Sequence, residues 1–340
     1  MGGDLSTRPR PTALEVARRA QVSQSTVSLV LQGKDAGRVS DVTRRRVLAA
    51  ASELGYHPNA PAQALRMGRG HILALVVPGI TNPFFGGVML GAERAARAHH
   101  YRTVLVNTEE DEPWERELIS ALTAHAVDGF VLWSVDHRRL SALNGLRGRM
   151  VLVESDVTEI PSVHLDVAGG VRAVMRHLLD LGHRRIAHLA ASYIDPTFTI
   201  RSVEYERCLA AAGLDRRPGD VARAGFGLQE ATEAAHRLLQ RQLPPTAVLC
   251  DDDLLAAGVY RAARERGLDV PRDLAVAGFD DIELAQILDP PLTTVAIPAE
   301  RVGGEAVDLL VRVLDGADVG PAHPIPLRLV VRGSTAPPRA

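Results

Sequence analysis

Residues 11–33 read PTALEVARRAQVSQSTVSLVLQG, and the spacing of polar and apolar residues in that string decides the first part of the fold. Thr12 followed three residues later by Glu15 has the spacing of a capping box, in which each side chain satisfies a backbone N–H left open at a helix start. A helix is therefore expected to run to about Ala20. Ser23 and Thr26 repeat the spacing after the short turn Gln21-Val22. A second helix should begin there, turn Val27, Val30 and Leu31 to its apolar side, and stop at Gly33. A third is expected behind a Ser40 cap, packing Val42, Val47, Leu48, Ala51 and Leu54 and closing on Gly55 as a glycine C-cap.

Two short helices across a tight turn, backed by a third, make a helix-turn-helix, whose second helix enters the major groove of DNA. Its polar outer face would be Gln24, Ser25 and Ser28. A Gln amide can pair two-pronged with adenine and a Ser hydroxyl can meet several base edges, whereas Arg44, Arg45 and Arg46 suit phosphates. An unrelated helical bundle would give the same pattern. Charge separates the two readings further. The net −2 over 340 residues divides into eleven Arg and Lys against five acids in residues 1–71, a net +6, and 28 against 36 in the rest, a net −8. A basic head on an acidic body suggests a polyanion partner, double-stranded DNA, with a solvated basic surface as the plain alternative.

The next segment, Pro58-Asn59-Ala60-Pro61-Ala62-Gln63-Ala64-Leu65-Arg66, offers an Asn cap and roughly one and a half helical turns. So short a helix is marginal alone. Either it is a hinge that orders on DNA and wedges Leu65 into the minor groove, or it is a plain linker.

From Ile72 onward short apolar runs alternate with helical patterns: Ile72–Val77, Thr103–Val106, Gly129–Trp133, Met150–Glu154, Ile186–Ala190, Thr246–Cys250 and Leu274–Gly278. This alternation predicts an α/β body of parallel sheets in two doubly wound lobes. Ligands of such sheets lie beyond the carboxyl ends of the strands. Asn82, Phe84, Phe85, Asn107, Thr108, Trp133, Asp252 and Asp280 stand there. Phe84, Phe85, Trp133 and Phe226 offer flat apolar faces, and Arg201 with Asp280 a fork of donors and a pair of acceptors, which suits a sugar, polyol or nucleoside. For the aromatics core packing is the bland alternative, and Asp252 reads equally as a helix N-cap.

The chain carries 46% hydrophobic and 24% charged residues and only two cysteines, Cys208 and Cys250, which excludes a disulfide framework and suits a cytoplasmic protein. No apolar run reaches a membrane span. Phosphate-loop, dinucleotide and nucleophile-elbow patterns are absent, and the twelve histidines are scattered without metal-ligand spacing, His99-His100 and His183 reading as surface or strand-edge residues. No enzyme, cofactor or metal is therefore expected. The alternative is a small-molecule-binding protein or enzyme whose basic head is incidental.

Leu14-Glu15-Val16-Ala17, Ala20-Gln21-Val22-Ser23, Thr26-Val27-Ser28, Glu53-Leu54-Gly55-Tyr56 and Pro58-Asn59 together resemble the lactose-repressor family of bacterial transcription regulators. Asn82-Pro83-Phe84-Phe85, Leu181-Gly182-His183-Arg184-Arg185-Ile186-Ala187, Gly278-Phe279-Asp280-Asp281, Asp289-Pro290-Pro291-Leu292-Thr293-Thr294-Val295 and Val331-Arg332-Gly333-Ser334-Thr335 extend the likeness to about residue 338. The resemblance implies a homodimeric regulator, usually a repressor, with a helix-turn-helix domain over 1–57, a hinge over 58–71 and a two-lobed body like a type I periplasmic binding protein over 72–340. One lobe would take about 72–163 and 293–323, the other about 164–292 and 324–340. DNA contacts are implied at Thr12, Ser23, Gln24, Ser25, Thr26, Ser28, Asn59, Ala62 and Leu65. Effector contacts are implied at Asn82, Phe84, Phe85, Trp133, Arg201, Phe226, Asp252 and Asp280. Four departures stand out: Leu29 and Gln63 where the family often has arginine, Glu204 where its Arg-x-x-Gly pattern from Arg201 has Gly, and Asp252 where it usually has Asn.

Overall fold

The computed structural model describes residues 11–31, 35–56, 70–108, 114–124, 126–135, 137–155, 157–193, 195–320 and 323–339. The chain divides into two units, residues 1–70 and 71–340, each described by itself.

In the first unit Thr12 caps α1 (Ala13–Ala20) through the expected box, the Thr12 amide donating to Glu15 Oε2 at 2.6 Å and the Glu15 amide to Thr12 Oγ1 at 3.3 Å. Gln21 takes the left-handed conformation, φ 52°, that ends the helix and turns the chain into α2 (Gln24–Leu31). The Ser40 hydroxyl accepts from the Thr43 amide at the head of α3 (Asp41–Leu54), which closes on Gly55 at φ 61°. Val16, Ala17, Ala20, Val27, Val30, Val47, Ala50 and Ala51 form a small common core. The stripe expected on α3 is corrected here: Val42, Leu48 and Leu54 are exposed, and Val47, Ala50 and Ala51 face inward. Alanines let three short helices approach closely, so the apolar stripe follows the small residues rather than the large ones. Gly33 and the hinge residues Asn59, Ala62 and Leu65 lie outside the described residues.

The second unit holds two sheets. The first is parallel throughout, ordered β2 (Arg102–Asn107), β1 (Ile72–Val77), β3 (Gly129–Trp133), β4 (Met150–Val153), β5 (Ser162–Val163). Alternate residues of its central strands serve its two faces. Leu73, Leu75, Val77, Val131, Val151 and Val153 pack on one side, and Ala74, Val76, Phe130, Leu132, Met150 and Leu152 on the other, so the strands read as unbroken apolar runs. The helices Phe84–Ala98 and Ala299–Leu314 cover the first face together. They cross so closely that a side chain on Gly91 would meet the Glu300 carbonyl oxygen at 1.8 Å.

The second sheet is ordered β11 (Arg328–Val330), β10 (Thr293–Ala296), β9 (Ala275–Asp280), β8 (Ala247–Cys250), β6 (Ile186–Ala191), β7 (Val221–Ala224), with β11 antiparallel. Seven strands were expected. β5, β7, β10 and β11 are the additional ones, each short, three of them at a sheet edge, and none an unbroken run of large apolar residues. β10 also moves a lobe boundary. Thr293–Ala296 pairs with β9 in the second sheet, so the chain returns to the first lobe after Ala296 and not at residue 293. His183, expected at the surface or a strand edge, is buried, its Nδ1 at 3.0 Å from Thr246 Oγ1 and its Nε2 at 2.9 Å from the Ala336 carbonyl. Among the described residues no helix is long and apolar enough to cross a membrane.

Candidate functional site

In the head, the N-terminal turn of α2 presents exposed polar side chains. Ser23 Oγ accepts from the Thr26 amide at 3.1 Å and lies 2.7 Å from Ser25 Oγ and 2.8 Å from Thr26 Oγ1. Ser23 is thus the N-cap of α2, with Ser25 and Thr26 tied to it. Thr12 is likewise engaged in its capping box, and the Glu15 carboxyl is held below its ordinary pKa by the Thr12 amide and hydroxyl. Gln24 projects exposed from the first turn, next to exposed Ser25, while Ser28 is half-buried. Of the three arginines on α3, Arg44 pairs at 3.3 Å with the buried Asp35, and Arg45 Nε donates to the Asp41 carbonyl. All three are exposed.

The body gathers its candidates where the strands of both sheets end. On the first lobe, Phe84, Phe85 and Trp133 meet edge to face, with centroids 5.3–5.5 Å apart. Asn82 Oδ1 accepts from the Phe84 amide at 3.0 Å, which leaves the amide nitrogen to donate across to the second lobe, to Asp252 Oδ2 at 2.8 Å. Asn107 and Thr108 are committed to backbone instead, accepting from the Ile80 amide and donating to the Val77 carbonyl.

On the second lobe the triplet Asp251-Asp252-Asp253 divides its duties. Asp251 accepts from the Ala191 amide and lies 2.7 Å from His188 Nε2. Asp253 accepts from the Thr294 hydroxyl at 2.6 Å and the Ile282 amide at 2.9 Å, and burial pushes its pKa up to about 8. Asp252 is the member that meets the first lobe, and it is also the helix N-cap that the sequence offered. One oxygen caps the helix Asp253–Glu265 by accepting from the Leu254 amide at 2.6 Å, and the other takes the Asn82 amide.

Arg201 is buried beside this group. Its guanidinium donates to the Asp251 carbonyl, lies 3.9 Å from Asp280 Oδ1, and rests on the Phe279 ring at 3.7 Å with Phe198 at 5.1 Å. A guanidinium on an aromatic face keeps its charge while losing little to desolvation. Asp280 ends β9 at φ 108°, a conformation that a non-glycine residue adopts only under constraint. Burial, then the neighbouring Asp252, raises its pKa well above the usual carboxylate range. The two carboxyls therefore share a proton more readily than they both ionise.

Phe226 joins a different cluster. It stacks on Tyr193 at 4.9 Å and leans on Phe198 at 5.9 Å, so Phe198 is the link between it and Arg201. Reasoning from sequence missed Phe198 and two acids. Glu154 follows β4 at φ 52°, accepts from the Leu165 amide at 2.6 Å, and has its pKa pushed up to about 7 by burial. Asp195 caps the helix Pro196–Ala211 and is also raised by burial. Both follow strands, the position that marks ligand sites in parallel sheets.

Residues 12–59 match the model of bacterial regulatory proteins of the lacI family, and residues 175–335 that of a periplasmic binding protein-like domain. The chain is 32% identical over 329 residues, 95% of its length and 96% of the relative's, to the HTH-type transcriptional repressor CytR of Escherichia coli (strain K12). It is 31% identical over 330 residues, 95% and 99%, to catabolite control protein A of Priestia megaterium. Among solved structures it is similar to the lac repressor dimer bound to operator and the anti-inducer ONPF, with a TM-score of 0.85, 26% identity, and coverage of 96% of this chain and 100% of that one. It is also similar to the transcriptional regulator CelR–cellobiose complex, with a TM-score of 0.71, 32% identity and coverage of 96% and 100%.

Proposed function

The chain belongs to the lacI family of bacterial regulatory proteins, and from that premise we propose that it is a cytoplasmic, ligand-responsive transcriptional repressor that binds a pseudo-palindromic operator as a homodimer. The observation that carries the reading is the presence in one chain of a helix-turn-helix with an exposed polar recognition face and a two-lobed body whose cleft is bridged from Asn82 to Asp252. Gln24, Ser25 and Ser28 of α2 would read bases, with Thr12, Ser23 and Thr26 fixing the helix start against phosphates. Asn59, Ala62 and Leu65 would enter the minor groove from the hinge.

The effector is a small polyhydroxylated molecule of the sugar, polyol or nucleoside class. Trp133, Phe84 and Phe85 would take its apolar face, Asn82, Asp252, Asp280 and Arg201 its hydroxyls or ring nitrogens, and Phe226 a distal edge. CelR with cellobiose is a relative whose ligand has that chemistry. Binding would alter how the lobes meet and, through the two hinges of a dimer, the affinity for DNA, with a coupling of typically about 1–3 kcal/mol that acts equally in both directions. The chain has no catalytic role in this reading.

A gel shift on the DNA upstream of the chain's own gene tests the proposal. A specific shift that weakens steeply with salt, and that responds to one member of a panel of sugars, polyols and nucleosides, is the expected result. No specific shift under any of these conditions would remove it.

A further inference from the structure

Away from the cleft, the second lobe holds a cavity of about 250 Å³ between the helix Pro196–Ala211 and strands β6 and β7. That is larger than the roughly 150 Å³ that accommodates a benzene ring. His188 and Ser202, two of its lining residues, each hold a buried polar atom, Nδ1 and Oγ, that has no hydrogen-bond partner among the described residues. Orphans of this kind are rare in folded interiors, because an unmet buried donor or acceptor is destabilising.

The ring of His188 is fully buried and already committed on one side, with Nε2 2.7 Å from Asp251 Oδ1. Against the burial that opposes ionisation, His188 holds the Asp251 carboxyl below its ordinary pKa, so Nε2 carries the hydrogen and donates it. Nδ1 is left to serve the cavity. Glu206, Arg216 and Arg223 are the exposed members of the lining. Arg216 pairs with Glu206 at 2.8 Å, and Arg223 donates to the Ala191 carbonyl at 3.0 Å. Two guanidiniums against one carboxylate leave the exposed edge net positive. Val221 and Tyr205 complete the lining with apolar surface.

We propose that this cavity is a second ligand site, separate from the effector cleft, that takes a small hydroxy acid. Its carboxylate would lie against Arg216 and Arg223, and its hydroxyl between His188 Nδ1 and Ser202 Oγ. A hydroxyl donates and accepts at once, so one group completes both orphans. A neutral polyol would leave the cationic edge unanswered, and an acid without a hydroxyl would leave the orphans unmet.

Titration of the full chain, carrying ¹⁵N-labelled histidine, with D-glycerate, L-lactate and propionate tests the site. Glycerate or lactate should shift the His188 ring resonances saturably, with propionate, which lacks the hydroxyl, binding roughly tenfold or more weakly. Arg223→Gln, a change at an exposed residue, should weaken the hydroxy acids by a similar factor without moving the unfolding midpoint. Ser202→Ala should erase the discrimination between lactate and propionate. Shifts that never saturate, equal binding of lactate and propionate, or hydroxy-acid binding untouched by Arg223→Gln would each overturn the proposal and leave a cavity that holds water only.

Discussion

The outer face of α2 and the cleft wall around Arg201 both present polar groups for recognition, under opposite physical conditions. Gln24 and Ser25 stand in water, on a helix held from behind by Val27 and Val30. Arg201, Asp252 and Asp280 are buried, and each is built into the lobe that carries it, by a carbonyl, a helix cap or a strained strand end. A recognition group in water can be exchanged with little effect on the fold. One that is buried holds the fold and the ligand at once, because removing it strands its partners. Binding and stability should therefore separate in the head and move together in the cleft.

The largest test of that contrast is Arg201→Ala. Deleting a buried guanidinium that serves the Asp251 carbonyl and faces Asp280 should cost about 3–5 kcal/mol of stability in urea unfolding, and abolish effector binding in the same variant. A loss within the noise of the midpoint would break the comparison.

Glu154 comes next, through pH. Its folded pKa of about 7 lies above the ordinary carboxylate value of 4.5. The folded chain therefore binds more protons than the unfolded one between those values, and Glu154 withdraws stability as pH rises from about 4.5 through about 7, on the order of 3 kcal/mol in all. Asp253, raised to about 8, acts in the same direction. Glu154→Gln should flatten that part of a stability profile measured across this range. An unchanged slope would show that Glu154 is not a source of it.

In the head, Gln24→Ala should lower operator affinity by about 1–3 kcal/mol, the worth of a two-pronged base contact, and leave the unfolding midpoint in place. A destabilised variant would blur the distinction between the two regions. Smallest is Thr12→Ala, which removes one side of the capping box and should cost about 1 kcal/mol, read as a lower melting point.

Legibility in the sequence followed the same divide. The caps at Thr12, Ser23, Ser40 and Gly55 were readable because they depend on a few neighbouring residues. Four strands of the first sheet, β1 to β4, and three of the second, β6, β8 and β9, announced themselves as apolar runs. β7, with Arg223 in its four residues, and the threonine-rich β10 did not, since long-range pairing and not local composition makes them strands. In the cleft the aromatic trio was legible from its position at strand ends. Glu154 was not, because a single acid after an apolar run looks like any strand terminus until the Leu165 amide closes on it. The partition of the aspartate triplet was equally hidden. Three identical side chains in a row acquire different partners only when helix, sheet and facing lobe are all in place.

The close crossing of the helices Phe84–Ala98 and Ala299–Leu314 bears on the order in which the chain can be completed during synthesis. The first sheet's strands emerge early, yet Val302, Ala306, Val307 and Leu310, which cover one of its faces, belong to a segment translated about 200 residues later than Ala98. At about 5–20 residues per second, that delay is roughly 10–40 s. The first lobe thus waits half-built on the ribosome while the second lobe's strands are laid down, its apolar face open to any chaperone that meets it, and translation of residues 299–330 closes both lobes nearly together.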